Sequence, residues 1–143
     1  MGGIDHHFER AERLLDRLEP TEAWAETAQG ALLVDTRPAY QRAADGEIPG
    51  AMIVERNHLE WRLDPSCSAR VPEAGAWDLR WIVICDEGCS SVLAALSLRE
   101  IGLVRATDVI GGFQRWRAEG LSFTSRRTLS PPRLHATDLR IKG

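Results

Sequence analysis

The chain is poor in cysteine, nearly without lysine and free of long apolar runs, and each shortage narrows what it can be. Its cysteines are Cys67, Cys85 and Cys89, three in 143 residues. An odd, unevenly spaced set is no disulfide framework and suits a reducing compartment, so a cytoplasmic location is expected. Cys67 has no histidine or cysteine near it at ligand spacing and reads as a bystander thiol. His6 and His7 are adjacent and diverge on a helix, so no metal or other cofactor is expected. Lysine occurs once, at Lys142, and the net charge is -3. That balance makes no general case for nucleic acid or membrane as a partner. No apolar run approaches the ~18 residues of a membrane span. The opening residues M-G-G-I-D-H-H-F-E-R lack the apolar stretch of a secretion signal. At this length a single domain with a substantial core is expected.

What is present centres on Trp81 to Leu98, W-I-V-I-C-D-E-G-C-S-S-V-L-A-A-L-S-L. Trp81 to Ile84 is an apolar, β-branched run that reads as a buried strand. Cys85 falls where the strand stops. Asp86, Glu87 and Gly88 are turn formers. From Ser90 on, Val92, Leu93, Leu96 and the alanines recur at helical spacing, with Ser90 or Ser91 able to cap the helix. Strand, tight loop and helix then place a cysteine at the carboxyl edge of a sheet, where open parallel α/β sheets bind ligands. A loop folded over a helix N-terminus turns backbone N–H groups inward and favours a thiolate.

The flanking sequence repeats this alternation. His7 to Leu18 predicts an amphipathic helix, and Thr21 to about Gln29 a second, opened by Pro20 and closed by Gly30. Ala31 to Val34 and Ala51 to Val54 read as strands, with a short helix over Pro38 to Ala44 between them. Asn57 to Leu63 reads as a short helix capped by Asn57, and Asp64 to Asp78, with its prolines and glycine, as a loop. After Gly102, Ala106 to Ile110 predicts a strand, and Gly111-Gly112 a tight turn into a helix over Phe113 to Glu119. Helices on both faces of a mostly parallel sheet follow. Residues 1–19 read as an N-terminal helical extension, 20–121 as the α/β domain, and 122–143 as a basic tail. The tail is a surface-draped segment or a docking segment for an acidic partner.

With these pieces in order, the chain resembles the single-domain rhodanese (sulfurtransferase) family. The matching stretches are L-L-V-D-T-R (Leu32 to Arg37), E-I-P-G-A (Glu47 to Ala51), W-I-V-I-C-D-E-G-C-S-S and V-I-G-G-F-Q-R-W (Val109 to Trp116). L-E-W-R-L-D-P with A-T-D-V-I-G-G-F also resembles a group of actinobacterial rhodanese-like proteins. The resemblance implies a rhodanese-like α/β fold with a five-stranded parallel sheet. It also implies that Cys85 accepts sulfane sulfur as a persulfide, wrapped by the loop Cys85 to Ser90. The implied partners are a small sulfur donor and a thiol or cyanide acceptor, or a protein persulfide carrier.

Departures from the family pattern bear on substrate. Ser90 stands where the family often has arginine, Asp86 and Glu87 where thiosulfate users carry basic residues, and Glu47 where the family has histidine. A carboxylate ~6 Å from the sulfur, at an effective dielectric of ~20, opposes a thiolate by about 3 kcal/mol before screening. Outward-pointing acids would shrink that penalty, and poor use of thiosulfate, a dianion, is expected. Arg56 and Arg62 follow the third strand and are candidate site cations. Asp35 and Arg37 read as an ion pair beside the loop, and Trp61 as a pocket wall or a core residue. Cys89 is either a resolving thiol for oxidised Cys85 or a small loop residue. Three function classes remain open: a sulfurtransferase working through Cys85, a catalytically quiet rhodanese-like binding or sensing module, and a cysteine phosphatase. The last needs a longer loop ending in arginine to hold phosphate bidentately, and Ser91 stands in that place.

Overall fold

A computed structural model describes residues 2–124, so the tail beyond Thr124, with its docking question, lies outside the described residues. The sheet grows from the central apolar run. β3 (Trp81–Ile84) is buried along its whole length and pairs in parallel with β1 (Leu32–Asp35) on one side and β4 (Thr107–Asp108) on the other. β2 (Met52–Ile53) adds to the outer edge of β1, giving the order β2-β1-β3-β4. Both faces are covered because side chains alternate along a strand. Trp81 and Val83 enter one core with Val34, Leu59, Leu63 and Leu96. Ile82 and Ile84 enter the other with Leu33, Val109, Phe113 and Trp116. Full burial of each such side chain stabilises the fold by roughly 1.5–3 kcal/mol.

The helices are α1 (Ile4–Leu14), α2 (Pro20–Thr27), α3 (Ala39–Asp45), α4 (Leu59–Leu63), α5 (Ser90–Glu100) and α6 (Gly112–Ala118). A 3-10 turn over Arg56–His58 leads into α4, so Asn57 sits inside that turn rather than capping a helix. Glu19 and Glu22 close a reciprocal capping box around the start of α2.

The expected fifth strand is reduced to one residue. Leu18 N–H donates to the Asp108 carbonyl at 3.0 Å and the Ile110 N–H donates to Leu18 O at 2.8 Å, an isolated parallel bridge beyond β4. Pro20 opens α2 immediately afterwards, so the chain cannot extend the ladder. The same bridge explains why α1 ends at Leu14 and not at Leu18: the chain leaves the helix to reach the sheet. Residues 15–19 are thereby laid across the end of β4, close to the loop that follows β3.

Candidate functional site

Cys85 follows the last residue of β3 and is 5% exposed. Its Sγ accepts the Gly88 N–H at 3.1 Å and the Ser91 N–H at 3.4 Å. Ser91 is in the first turn of α5, so the sulfur lies at a helix N-terminus as well as inside a curled loop. The cap of α5 is Cys89, with no side-chain hydrogen bond. Neither expected serine is the cap, because the helix already begins at Ser90; the Ser91 hydroxyl instead receives the Cys85 thiol at 3.2 Å and donates to Asp108 Oδ2 at 2.6 Å.

The loop is held by its carbonyls, which is what turns its amides toward the sulfur. Phe113 N–H donates to Cys85 O at 2.8 Å and Gln114 N–H to Asp86 O at 3.0 Å, so the start of α6 grips the back of the loop. Glycines make this approach possible. A Cβ on Gly88 would meet the Gly111 nitrogen at 2.6 Å, and one on Gly112 would meet the Cys85 carbonyl oxygen at 2.5 Å. All three of these glycines have positive φ, at 87° for Gly88, 76° for Gly111 and 60° for Gly112.

A third carbonyl clamp comes from outside the domain expected from sequence. Arg17 Nη2 donates to Gly88 O at 2.9 Å. The same guanidinium forks onto Asp108, Nε to Oδ1 at 2.8 Å and Nη2 to Oδ2 at 3.1 Å. Burial works against the Arg17 charge. The Asp108 hydrogen bond and attraction outweigh it, with Glu12 and the Cys85 sulfur adding to them, and hold the guanidinium above its ordinary value.

In front of the sulfur lies an open cavity of about 440 Å³, lined by Thr36, Arg37, Pro38 and Tyr40 on one side and by Asp86, Glu87, Cys89 and Ser90 on the other. A larger cavity of about 510 Å³ near Trp24, Leu32 and Met52 is lined by no thiol and sits toward the start of β1. The acidic loop residues differ from each other. Asp86 Oδ1 accepts Gln114 Nε2 at 2.8 Å and is thereby tethered to α6. Glu87 is exposed at the mouth.

Several sequence candidates fall outside this cavity. Arg56 pairs with Glu60 at 3.0 Å and lines a neighbouring depression with Glu55 and Asn57. Arg62 is exposed and donates to Ala69 O. Trp61 is 58% exposed, neither core nor pocket wall. Arg37 does reach the cavity, but its guanidinium is buried on Asp35, at 2.8 Å, and on Gly46 O, at 2.9 Å. Cys89 is exposed and Cys67 half-buried, and both are free thiols, as Cys85 is. Among the described residues no group of three or more histidine, cysteine or acidic side chains is placed to hold a metal. No described helix is long and apolar enough to cross a membrane. Arg17, Asp108 and Gln114 were missed from sequence. Asp108 is visible in A-T-D-V-I-G-G-F, but nothing in the sequence marks it as a partner of the loop.

A parallel α/β sheet with a thiol cupped by amides at its carboxyl edge defines a class of cysteine-centred domains. Within that class the chain belongs to the rhodanese-like domain family, whose model matches residues 19–119. Thiosulfate sulfurtransferase GlpE of Pseudomonas entomophila is 33% identical over 102 residues, 71% of this chain and 84% of that protein. Adenylyltransferase and sulfurtransferase MOCS3-2 of Zea mays is 36% identical over 92 residues, 64% of this chain but 18% of the maize protein. The chain therefore spans less than a fifth of that relative's length. A solved Rhodopseudomonas palustris structure, described as a protein of unknown function and possible tyrosine phosphatase, superposes with a TM-score of 0.78 at 28% identity, covering 87% of this chain and 96% of that one.

Proposed function

We propose that the chain is a sulfurtransferase that carries sulfane sulfur as a persulfide on Cys85, acting in the reducing cytoplasm. The observation that supports this best is the sulfur itself, set at the floor of an open cavity with the Gly88 and Ser91 amides directed at it. The Cys85 thiolate attacks the outer sulfur of a donor. The donor's S–S bond breaks, its remaining fragment leaves with the bonding electrons, and a Cys85–S–S⁻ persulfide forms. An acceptor thiolate or cyanide then attacks the outer sulfur, and Cys85 leaves as thiolate. The inward amides and the start of α5 stabilise the anion at both stages.

Charge at the mouth selects the donor. Arg37, the one cation among the described lining residues, faces its own carboxylate, while Glu87 is exposed and Asp86 is fixed at the rim. A dianion such as thiosulfate is disfavoured, and a neutral or cationic donor or a protein persulfide carrier is preferred. A quiet binding module is the second reading, favoured by those same acids and by Ser90 at the loop's end. A phosphatase reading is weaker, because Ser91 occupies the place of the phosphate-binding arginine and its hydroxyl is directed at Asp108.

Incubation with a sulfane donor and mass spectrometry separates the two main readings. Sulfur transfer adds ~32 Da to Cys85 by thiolate attack and adds nothing in Cys85→Ser. A wild-type protein that never gains the mass is a binding module. Asp86→Lys/Glu87→Arg should raise the thiosulfate:cyanide rate about tenfold through the removed repulsion, and equal rates would discard the electrostatic account of donor choice.

A further inference from the structure

Arg17 precedes the residues 19–119 that the family model matches, yet it reaches the Cys85 loop by two routes, one direct and one through Asp108. One amino group holds the Gly88 carbonyl, and Gly88 is the residue whose N–H is on the sulfur. The fork holds Asp108, which is fully buried, and Asp108 in turn holds the Ser91 hydroxyl. The Ser91 hydroxyl is in contact with the Cys85 thiol. A continuous chain of hydrogen bonds therefore runs from the linker after α1 to the sulfur. Resting on the reading of Cys85 as nucleophile, we propose that Arg17 and Asp108 are positioning residues that govern, through Ser91, how readily the Cys85 sulfur carries negative charge.

The Ser91 hydroxyl has a single hydrogen and two acceptors for it. With Cys85 protonated, the thiol donates to Ser91 Oγ and Ser91 donates to Asp108, so every group is matched. When the thiol gives its proton to solvent, Oγ loses its donor and the hydroxyl can swing its hydrogen to the sulfur anion. Asp108 would then be left bare in the core, which is unfavourable for a buried carboxylate. Arg17 removes that obstacle. Its Nε and Nη2 satisfy both carboxylate oxygens whichever way Ser91 turns, and its charge offsets the repulsion between Asp108 and the sulfur. The other charged groups around Cys85 are Asp86 and Glu87 on the loop and the Asp35–Arg37 pair at the end of β1. Asp86 is tethered to Gln114, Glu87 is exposed, and the pair is closed on itself. None of these has a hydrogen bond to Ser91, so the Asp108 arm is the one whose charge reaches the sulfur through a movable hydrogen.

The test uses the full chain and iodoacetamide, a neutral reagent whose approach is not steered by surface charge, with the alkylation rate of each cysteine read by peptide mass spectrometry. Arg17→Met should slow alkylation of Cys85 about tenfold, since it leaves Asp108 uncompensated beside the sulfur, with Cys67 unchanged. Arg17→Lys, which keeps the charge but not the fork, should fall between Arg17→Met and wild type. The decisive variant is Arg17→Met/Asp108→Asn. An asparagine still accepts the Ser91 hydrogen without opposing an anion, so Cys85 should regain a rate within a few fold of wild type. Wild-type rates in Arg17→Met and Arg17→Lys would overturn the proposal. So would a double variant as slow as Arg17→Met, because Arg17 would then act only by holding the Gly88 carbonyl. Sulfur uptake by wild-type Cys85 with unaltered alkylation across the set would defeat the relay and leave the transferase reading standing. Absence of uptake with the expected alkylation pattern would do the reverse.

Discussion

Two buried carboxylates flank the strand that leads into Cys85, and they have opposite neighbourhoods. Asp35 closes β1 on one side of β3, and Asp108 closes β4 on the other. Each is fully buried and each holds an arginine. Asp35 binds Arg37, its neighbour two residues on, and the arginine lies over the Phe113 ring at 3.8 Å. Arg37 Nη1 has no hydrogen-bond partner among the described residues. Asp108 binds Arg17 from the far end of the chain and uses its remaining capacity on Ser91. The first pair is closed locally and props the turn out of α3 through Gly46 O. The second opens onto the sulfur. Residue type alone does not distinguish a structural ion pair from one coupled to chemistry; the third partner does.

The same substitution at both carboxylates separates the two roles. Asp35→Asn leaves a guanidinium with no exposed surface and no counter-charge, and a loss of about 3–5 kcal/mol is expected, measured by urea unfolding. Cys85 alkylation in the folded fraction should stay near wild type. A large change in that rate with little loss of stability would show that the Asp35 side also addresses the sulfur, and the contrast would break.

Asp108→Asn should have the smaller structural effect. Arg17 is 14% exposed and retains Glu12 and the Gly88 carbonyl, so a loss of about 1–2 kcal/mol is expected. Its chemical effect runs the other way from Arg17→Met: the cation stays, the anion is gone, and Cys85 alkylates a few fold faster. A slower Cys85 in Asp108→Asn would mean that the carboxylate assists thiolate formation, contrary to the role assigned to it. Ser91→Ala sharpens the point further. It severs the link while leaving the Arg17–Asp108 fork, so a stability change of about 1 kcal/mol is expected, and the effect of Arg17→Met on alkylation should shrink in that background.

How much of this was readable beforehand follows the range of each interaction. The β3 run, the loop cysteine and the glycines around it are local signals, and the strand-loop-helix unit lies where they place it. Asp35 and Arg37 were legible as a pair because they are two residues apart on one strand end. The expected sheet had one strand too many, because nothing local says that Leu18 would make a single bridge before Pro20 turns the chain into α2. The Asp108–Arg17 pair depends on that bridge and joins residues 91 apart, so no periodicity or motif announces it. Arg56 was expected at the sheet's carboxyl edge because it follows a strand, and Arg62 about one helical turn further on, but strand-end geometry does not say where a long side chain finds its partner. Their side chains went to Glu60 and Ala69, which were nearer partners.

The smallest expected effect concerns the residue that holds the outer arm in place. Asp16 precedes Arg17 and accepts Arg80 Nη2 at 2.9 Å and Arg99 Nη2 as well. Burial opposes its charge, but the hydrogen bond and charge of Arg80, aided by Arg99, outweigh burial and keep the carboxyl below its usual value of 3.8. A carboxyl lowered by folding stabilises the native state above its ordinary range, and that contribution fades as pH falls through the lower, folded-state value. Asp16 is 60% exposed, so solvent screening limits the pair to about 0.5 kcal/mol. Asp16→Asn should therefore lower the urea midpoint slightly at neutral pH and flatten its decline in acid, with the two proteins converging once Asp16 is protonated. If Asp16 serves only to fix the linker, Cys85 alkylation in Asp16→Asn should match wild type, because Leu18 still holds the chain to β4. A drop approaching that of Arg17→Met would instead place the grip on Arg17 in the Asp16 cluster, extending the open side of the molecule to Arg80 and Arg99.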